Sequence, residues 1–428
     1  MPEFASKLNP ERIRKIFSFD EKDRWVVPVV NKMKTVDSVV APRKVTILDD
    51  TFRESTNMPG ANPTSKQKLE LAKMLEEAGV KEIVGGYAGI NEQCEFMRMV
   101  KESGIKLKVH AMLDLADFKR CIENAVAAGV DGVGFGDSMN IWPTRVGKLG
   151  PRYAYGGRDF DLAASLELAK TAIQTAKGKG LHVTAARALM DPEIFSKTLE
   201  TYVKAGADAI TIFDDKGDHT PQAMAYTVKM HRDVVGPDVK LRIHCHDDFG
   251  LALANSIEAV RAGVDVVDCV VNGYSHRSGN TALDQIVLAL EVLYGIPTGI
   301  DLSKLMSIAK FASEIFGVPI PAQAPHIGGS AYSYGGIHVT ALLEEGWYGW
   351  EGLRAETIGQ QRHIVWTPTA LQRFGLSGPV ATRIKSMGLE CNEEQLEKVF
   401  EELRKIFAVK KVATDTELEK IAHEVLGK

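Results

Sequence analysis

His244 and His246 stand one residue apart in the run RIHCHDDFG, at the end of a predicted strand. Strand alternation sends residues i and i+2 to one face, so both rings would point the same way. Two imidazoles on one face can hold a divalent metal ion. They can equally be hydrogen-bonded strand-end histidines, and the pair by itself leaves both readings open. Cys245, between them, would face away and is not a ligand. Other chemistry-bearing residues fall at similar places: Asp49, Asp50, Arg53 and Glu54 in DDTFRES, Asp214 and Asp215 in FDDKG, and Asn272, His276, Arg277 and Asn280 in NGYSHRSGN. Two imidazoles and one carboxylate satisfy a first-row divalent cation and leave positions open for substrate. The competing reading is an Arg53–Glu54 ion pair with the histidines hydrogen-bonded beside it. Asp247 and Asp248 either cap the helix that starts at Leu251 or hydrogen-bond a ligand histidine from behind.

Such residues need a scaffold that brings distant segments together, and the pattern from residue 44 supplies one. Short β-branched runs alternate with longer helical stretches, which is the signature of a parallel β/α architecture. The strands are predicted at 45–48, 81–87, 106–112, 132–136, 181–186, 209–213, 240–245 and 265–271. Helical stretches follow them, for example SKQKLELAKMLEEAG with Ser65 as N-cap, and LALANSIEAVRAG. Gly79, Gly129, Gly206 and Gly263 each close a helix before a strand begins, as left-handed C-caps do. Eight such units over residues 44–296 predict a closed (β/α)8 TIM barrel, with a doubly wound sheet as the alternative. In a barrel the residues named above fall at the C-terminal strand ends, where barrel enzymes keep their chemistry. Residues 1–43 read as an N-terminal arm. Residues 137–160 are a long aromatic, Gly-rich connection, and 297–428 form an accessory domain, α/β or mostly helical, with a Glu/Lys-rich amphipathic C-terminal stretch.

Composition excludes several function classes. The chain has 428 residues, 45% apolar and 25% charged, with a net charge of −4. No basic stripe is present for nucleic acid, no apolar run is long enough for a membrane, and the N-terminus lacks a signal peptide's apolar segment. The expected partners are small-molecule substrates, and the expected compartment is the cytoplasm. Five scattered cysteines without a C-x-x-C pair read as reduced thiols.

The runs LDDTFRESTNMPG, HCHDDFGLALANSIEAVRAGVDVVDCVVNGYSHRSGN and YSYGGIHVTALLE resemble the three signature regions of the α-isopropylmalate and homocitrate synthase family. That barrel metalloenzyme superfamily also holds hydroxymethylglutaryl-CoA lyase and 4-hydroxy-2-oxo acid aldolases. The resemblance covers most of the chain and implies that Glu54, His244 and His246 bind a divalent metal (Mg, Mn, Zn or Co), with Asn280 at or next to it. It implies that Arg53 steadies an enolate or carbonyl oxygen. His338 is implied to be a histidine carried into the active site by the accessory domain, often across a homodimer interface. The implied reaction joins acetyl-CoA or another acyl-CoA to a 2-oxo acid, giving a 2-hydroxy-dicarboxylic acid. The alternatives are a lyase or aldolase of the same superfamily, and a non-catalytic barrel used for binding.

The chain departs from the family pattern at the substrate side. Counting back from Asp191, Pro192 and Glu193 places Ala185 where condensing synthases carry a fifth-strand glutamate, with Arg187 close by. His276 replaces a family glutamate and Asp215 a family threonine. Asp50, Arg187 and Asp215 are therefore expected to bind substrate, and His276 or His219 to serve as a replacement base. The chain is too short for the C-terminal allosteric domain of many isopropylmalate synthases, so feedback inhibition of that kind is not expected.

Overall fold

The structure is a computed structural model that describes residues 17–22, 24–32, 44–136, 162–187, 192–335, 338–339, 343, 351–371 and 375–427. Backbone contacts divide the chain into two units, residues 30–319 and residues 1–29 with 320–428. The connection at 137–160 and the aromatic residues Trp347, Tyr348 and Trp350 lie outside the described residues.

The larger unit is the expected barrel. Eight parallel strands close on themselves: β3 (Thr46–Asp49), β4 (Glu82–Tyr87), β5 (Lys108–Met112), β6 (Gly132–Gly136), β7 (His182–Arg187), β8 (Ala209–Asp214), β9 (Lys240–Cys245) and β10 (Val266–Cys269), with β10 pairing back onto β3. Strands buried on both faces read as near-continuous apolar runs, which is why the sequence marks them so clearly. Leu48, Val84 and Val266 pack together inside, while the alternate residues Ile47, Ile83 and Val267 are buried beneath the helices.

The helix boundaries follow from local chemistry. Thr64, not Ser65, caps Ser65–Glu77: its hydroxyl accepts the Gln67 N–H, and the Gln67 side chain answers the Thr64 N–H. Ser65 is the first helical residue, and its neighbour holds the extended conformation that lets a side chain reach back to the third amide. Gly79, Gly129, Gly206 and Gly263 all have positive φ, as the αβ turns demand. The barrel unit runs past residue 296: helix Leu305–Phe316 lies against Ser65–Glu77, and the Asp301 N–H donates to Ala78 O at 2.7 Å.

The second unit has its own core. A short hairpin, β1 (Phe17–Phe19) and β2 (Val26–Pro28), belongs to it, as does a small sheet of β11 (Ser333–Tyr334), β12 (His363–Trp366) and β13 (Ala413–Thr414). The amphipathic stretch is helix Glu393–Lys410, which starts with an Asn392–Gln395 capping box and buries Leu396, Val399, Phe400, Leu403 and Phe407 in that core. Among the described residues no helix is long and apolar enough to cross a membrane.

Candidate metal centre

The site begins where β3 ends. A single turn, Thr51–Glu54, follows Asp50, and the Arg53 and Glu54 amides donate to Asp50 O at 3.2 and 3.0 Å. That turn stacks the side chains of Asp50, Arg53 and Glu54 on one side. Arg53 Nε donates to the two Asp50 oxygens at 2.9 and 3.1 Å, its Nη2 also bonds Asp50, and Nη2 lies 2.7 Å from Glu54 Oε1. Behind it Thr51 Oγ1 donates to Asp49 Oδ2 at 2.8 Å and accepts the Val271 N–H at 2.8 Å, tying the turn to the segment after β10. Burial pushes Asp49 up to about 7.

That segment doubles back along β9. Thr281 N donates to Cys245 O, Asp247 N to Gly279 O and Val270 N to Thr281 O, so Asn280 sits beside the histidines. Two glycines allow the close approach. At Gly279 (φ +94°) a Cβ would lie 2.3 Å from Gly273 O, and at Gly217 (φ +58°) 2.5 Å from His246 O. Cys245 is fully buried, its thiol pushed far up by burial, and strand alternation turns it away from the histidines.

The result is a buried polar cluster centred on Glu54. Its Oε1 lies 3.6 Å from His244 Nε2, while its Oε2 accepts Ser275 Oγ at 2.7 Å and stands 3.3 Å from His276 Nδ1. Ligating atoms of Glu54, His246 and His276 lie within 4.8 Å of one another, as do those of Asp50, Glu54 and His244. Asn280 Nδ2 is 2.9 Å from His244 Nε2, and Asn280 Oδ1 is buried without a partner. The sequence-derived set of Glu54, His244, His246 and Asn280 is therefore brought together, with His276 joining Glu54 from the other side. Arg277 Nη1 lies 2.6 Å from His276 Nε2, and because arginine only donates, that nitrogen accepts and Nδ1 is left to face Glu54. Arg277 also grips both Asp248 oxygens at 2.9 and 3.0 Å and bonds Asp215 O. Asp247 accepts the Ala252 N–H at 2.8 Å, so it is the helix-capping aspartate of the two.

Electrostatics sharpen this picture. Burial pushes Glu54 up, but Arg53, His276, His244 and Ser275 outweigh it and hold the carboxyl well below the usual range. Burial, against Arg53, pushes Asp50 up to about 6. His246 falls to about 3 through burial and the neighbouring His244, which keeps it a neutral imidazole, the form that ligates metals. Three buried carboxylates, Asp50, Glu54 and Asp268, face two guanidiniums, Arg53 and Arg242. This deficit of positive charge, together with the unpartnered His246 Nδ1 and Asn280 Oδ1, fits a divalent cation.

An open cleft of about 690 Å³ leads to the cluster, with Tyr87, Asp215, Lys216 and Phe249 on its walls. A void of about 20 Å³ lies deeper in the barrel, lined in part by Thr184 and Ala186. These two are the inward residues of β7, so Ala185, fully buried, faces the helices by alternation. The position where a fifth-strand acid would reach the site is thus Ala186, one residue beyond the count from the downstream Asp-Pro-Glu; the acid is absent at either. Arg187 ends β7, and its side chain lies outside the described residues. His219 stands against Asp214 (Nδ1 to Oδ1 2.9 Å), whose other oxygen accepts Asn255, instead of lining the cleft. His338 lies, partly buried, in the second unit. Sequence reasoning missed Ser275, Arg242 and Asp268. Arg242 stands two residues before His244 on the same face of β9, while Asp268 is a lone charge in the otherwise apolar β10.

Residues 44–312 match the HMGL-like family. The homocitrate synthase of Methanocaldococcus jannaschii is 30% identical over 417 residues, covering 96% of this chain and 97% of that protein. The (R)-citramalate synthase of the same organism is 29% identical over 389 residues, covering 90% and 75%. Among solved structures, an HMG-CoA lyase of Bacillus subtilis superposes with a TM-score of 0.56 at 21% identity, over 66% of this chain and 97% of its own, a likeness of fold. With a closed barrel and a polar cluster at its C-terminal strand ends, this chain belongs to the HMGL-like family.

Proposed function

We propose that this protein condenses an acyl-CoA, acetyl-CoA in the simplest case, with a 2-oxo acid, and that water then cleaves the thioester to give a 2-hydroxy-dicarboxylic acid and free CoA. The observation that carries the reading is the pair of ligand groups that share Glu54, one with Asp50 and His244 and one with His246 and His276, beside Arg53 and open to the cleft. Synthases about 30% identical along almost the whole chain support it. Glu54, His244 and His246 would hold the divalent ion, with Asn280 at its edge. Bound there, such an ion supplies Lewis-acid polarisation of a 2-oxo acid's keto group. Arg53, held against Glu54 at the cleft, would stabilise the charge that develops on that oxygen. Asp50 holds Arg53 in place, while Arg187 and Asp215 are the groups proposed to meet the rest of the substrate. A base must remove a proton from the acyl methyl group. His338 is the proposed carrier of that proton, because His276 Nε2 accepts from Arg277 and is free to act only if Arg277 withdraws. Small molecules are the proposed partners, with a homodimer as the assembly and the cytoplasm as the compartment.

A carbon–carbon lyase of the same superfamily is the second reading. The specific observation in its favour is the interior face of β7, where Thr184 and Ala186 stand and no carboxylate does. One experiment separates the two. Purified protein should carry about one divalent ion per chain by elemental analysis, and should release free thiol from acetyl-CoA with at least one of glyoxylate, pyruvate, 2-oxoisovalerate or 2-oxoglutarate. Thiol release with none of them, alongside cleavage of a hydroxyacyl-CoA or a 4-hydroxy-2-oxo acid, transfers the assignment to the lyase.

A further inference from the structure

Arg242 and Asp268 form a buried ion pair directly behind His244. Arg242 and His244 lie two residues apart on β9 and share its inner face, and Asp268 lies on the adjoining β10, whose Val266 and Val267 pair with Arg242 and Ile243. Arg242 Nη2 donates to Asp268 Oδ1 and Oδ2 at 3.0 and 3.1 Å, Nε reaches Oδ1 at 3.3 Å, and Nη1 donates to Thr184 Oγ1 at 3.2 Å. One side of the Asp268 carboxylate is thereby fixed. From the other side Oδ2 stands 3.6 Å from His244 Nδ1, and Asp50 Oδ2 stands 3.7 Å from the same nitrogen. A ring nitrogen facing two carboxylate oxygens carries the proton, because a lone pair there would be repelled. The other nitrogen, Nε2, accepts the Asn280 amide N–H at 2.9 Å, so it carries the lone pair, and Glu54 Oε1 stands farther off at 3.6 Å.

We propose that the Arg242–Asp268 pair is the positioning device for His244: it holds the ring's orientation and its Nδ1–H tautomer, so that Nε2 is the lone pair offered to a divalent ion. A buried ion pair adds little stability over apolar residues of similar size, so stability alone does not account for one in a layer shared with Leu48, Val84 and Val266. Holding a metal-binding imidazole does account for it: histidine ligands usually donate their second N–H to a carboxylate, and that partner tunes affinity. Of the two carboxylates near Nδ1, Asp268 is the better anchor. It sits within a hydrogen-bonded strand next to β9, whereas Asp50 lies on a turn and is engaged by Arg53.

The inference rests on the metal reading of the site, and the test keeps the two apart. Full-length protein stripped with chelator is titrated with Co(II), read by its visible absorption and by competition with a chelator of known affinity. Asp268→Asn should weaken Co(II) binding roughly 10–100-fold while folding is retained by circular dichroism. Arg242→Lys keeps the charge but cannot grip both carboxylate oxygens, and should give a smaller loss in the same direction. Wild-type protein that binds no Co(II) would overturn the metal reading and this inference together. Wild-type binding that is unchanged in a folded Asp268→Asn variant overturns the positioning role alone. If Asp268→Asn does not fold, unchanged affinity in Arg242→Lys does the same.

Discussion

Arg53 serves two demands with one guanidinium. Its Nε and Nη2 are held by Asp50 and Glu54, and among the described residues no hydrogen bond involves Nη1. A planar fork can be anchored along one edge while presenting another to the cleft, which a lysine cannot do. Arg53→Lys would still place a cation between Asp50 and Glu54, so divalent-ion affinity should change by no more than a few-fold. Turnover should fall on the order of 10²-fold or more, the usual consequence of removing a preorganised donor from a developing oxyanion. Steady-state kinetics beside a metal titration checks the split; equal losses in both would assign Arg53 to holding Glu54 only, and unchanged turnover would remove it from the mechanism.

The elements that carry these residues were legible in different degrees. The eight strands and the four turn glycines could be read because buried strands are apolar throughout and left-handed turns select glycine. His244 and His246 were legible through spacing, since i and i+2 share a strand face, and Arg53 and Glu54 through their place just after the first barrel strand and the family resemblance of that run. Counting failed where it crossed a loop: Ala185 was reached by stepping back from Asp191, but the inward residue is Ala186, and only the alternation seen from inside the barrel decides between them. Arg242 and Asp268 escaped because a charged pair across two strands has no motif in either one. The return of Thr281 onto Cys245 was equally hidden, although Gly279 marks it. That return makes Gly279→Ala a test of the element. Positive φ and a Cβ 2.3 Å from Gly273 O would force the segment outward. The expected cost is about 1–3 kcal/mol in denaturant unfolding, with weaker metal binding as Asn280 moves from His244. An alanine variant with wild-type stability and affinity would show that the segment adapts freely and does not fix the site.

At the scale of the whole molecule, the charge deficit inside the barrel predicts a linkage between ion binding and stability. Asp50, Glu54 and Asp268 are buried against two guanidiniums and the His244 ring, whose pKa burial lowers but these carboxylates raise overall, and incompletely compensated buried charge works against folding. The ligating atoms come from the ends of β3 and β9 and the segment after β10, three parts of the chain that adjoin only when the barrel is closed. An ion that requires all of them binds the folded barrel and not the unfolded chain. At a free concentration one hundred times its dissociation constant it should add about 2.7 kcal/mol. For a unit of this size that corresponds to a rise of roughly 4–8 °C in the barrel's melting temperature. Calorimetry in excess chelator and in excess divalent ion measures the difference. His246→Ala, which removes a neutral ligand without touching the buried charges, should abolish most of the rise while leaving the chelator-treated melting temperature near that of the wild type. Melting temperatures that coincide with and without ion in the wild type would mean that the carboxylates are balanced by protonation alone, and would leave the cluster without its cation.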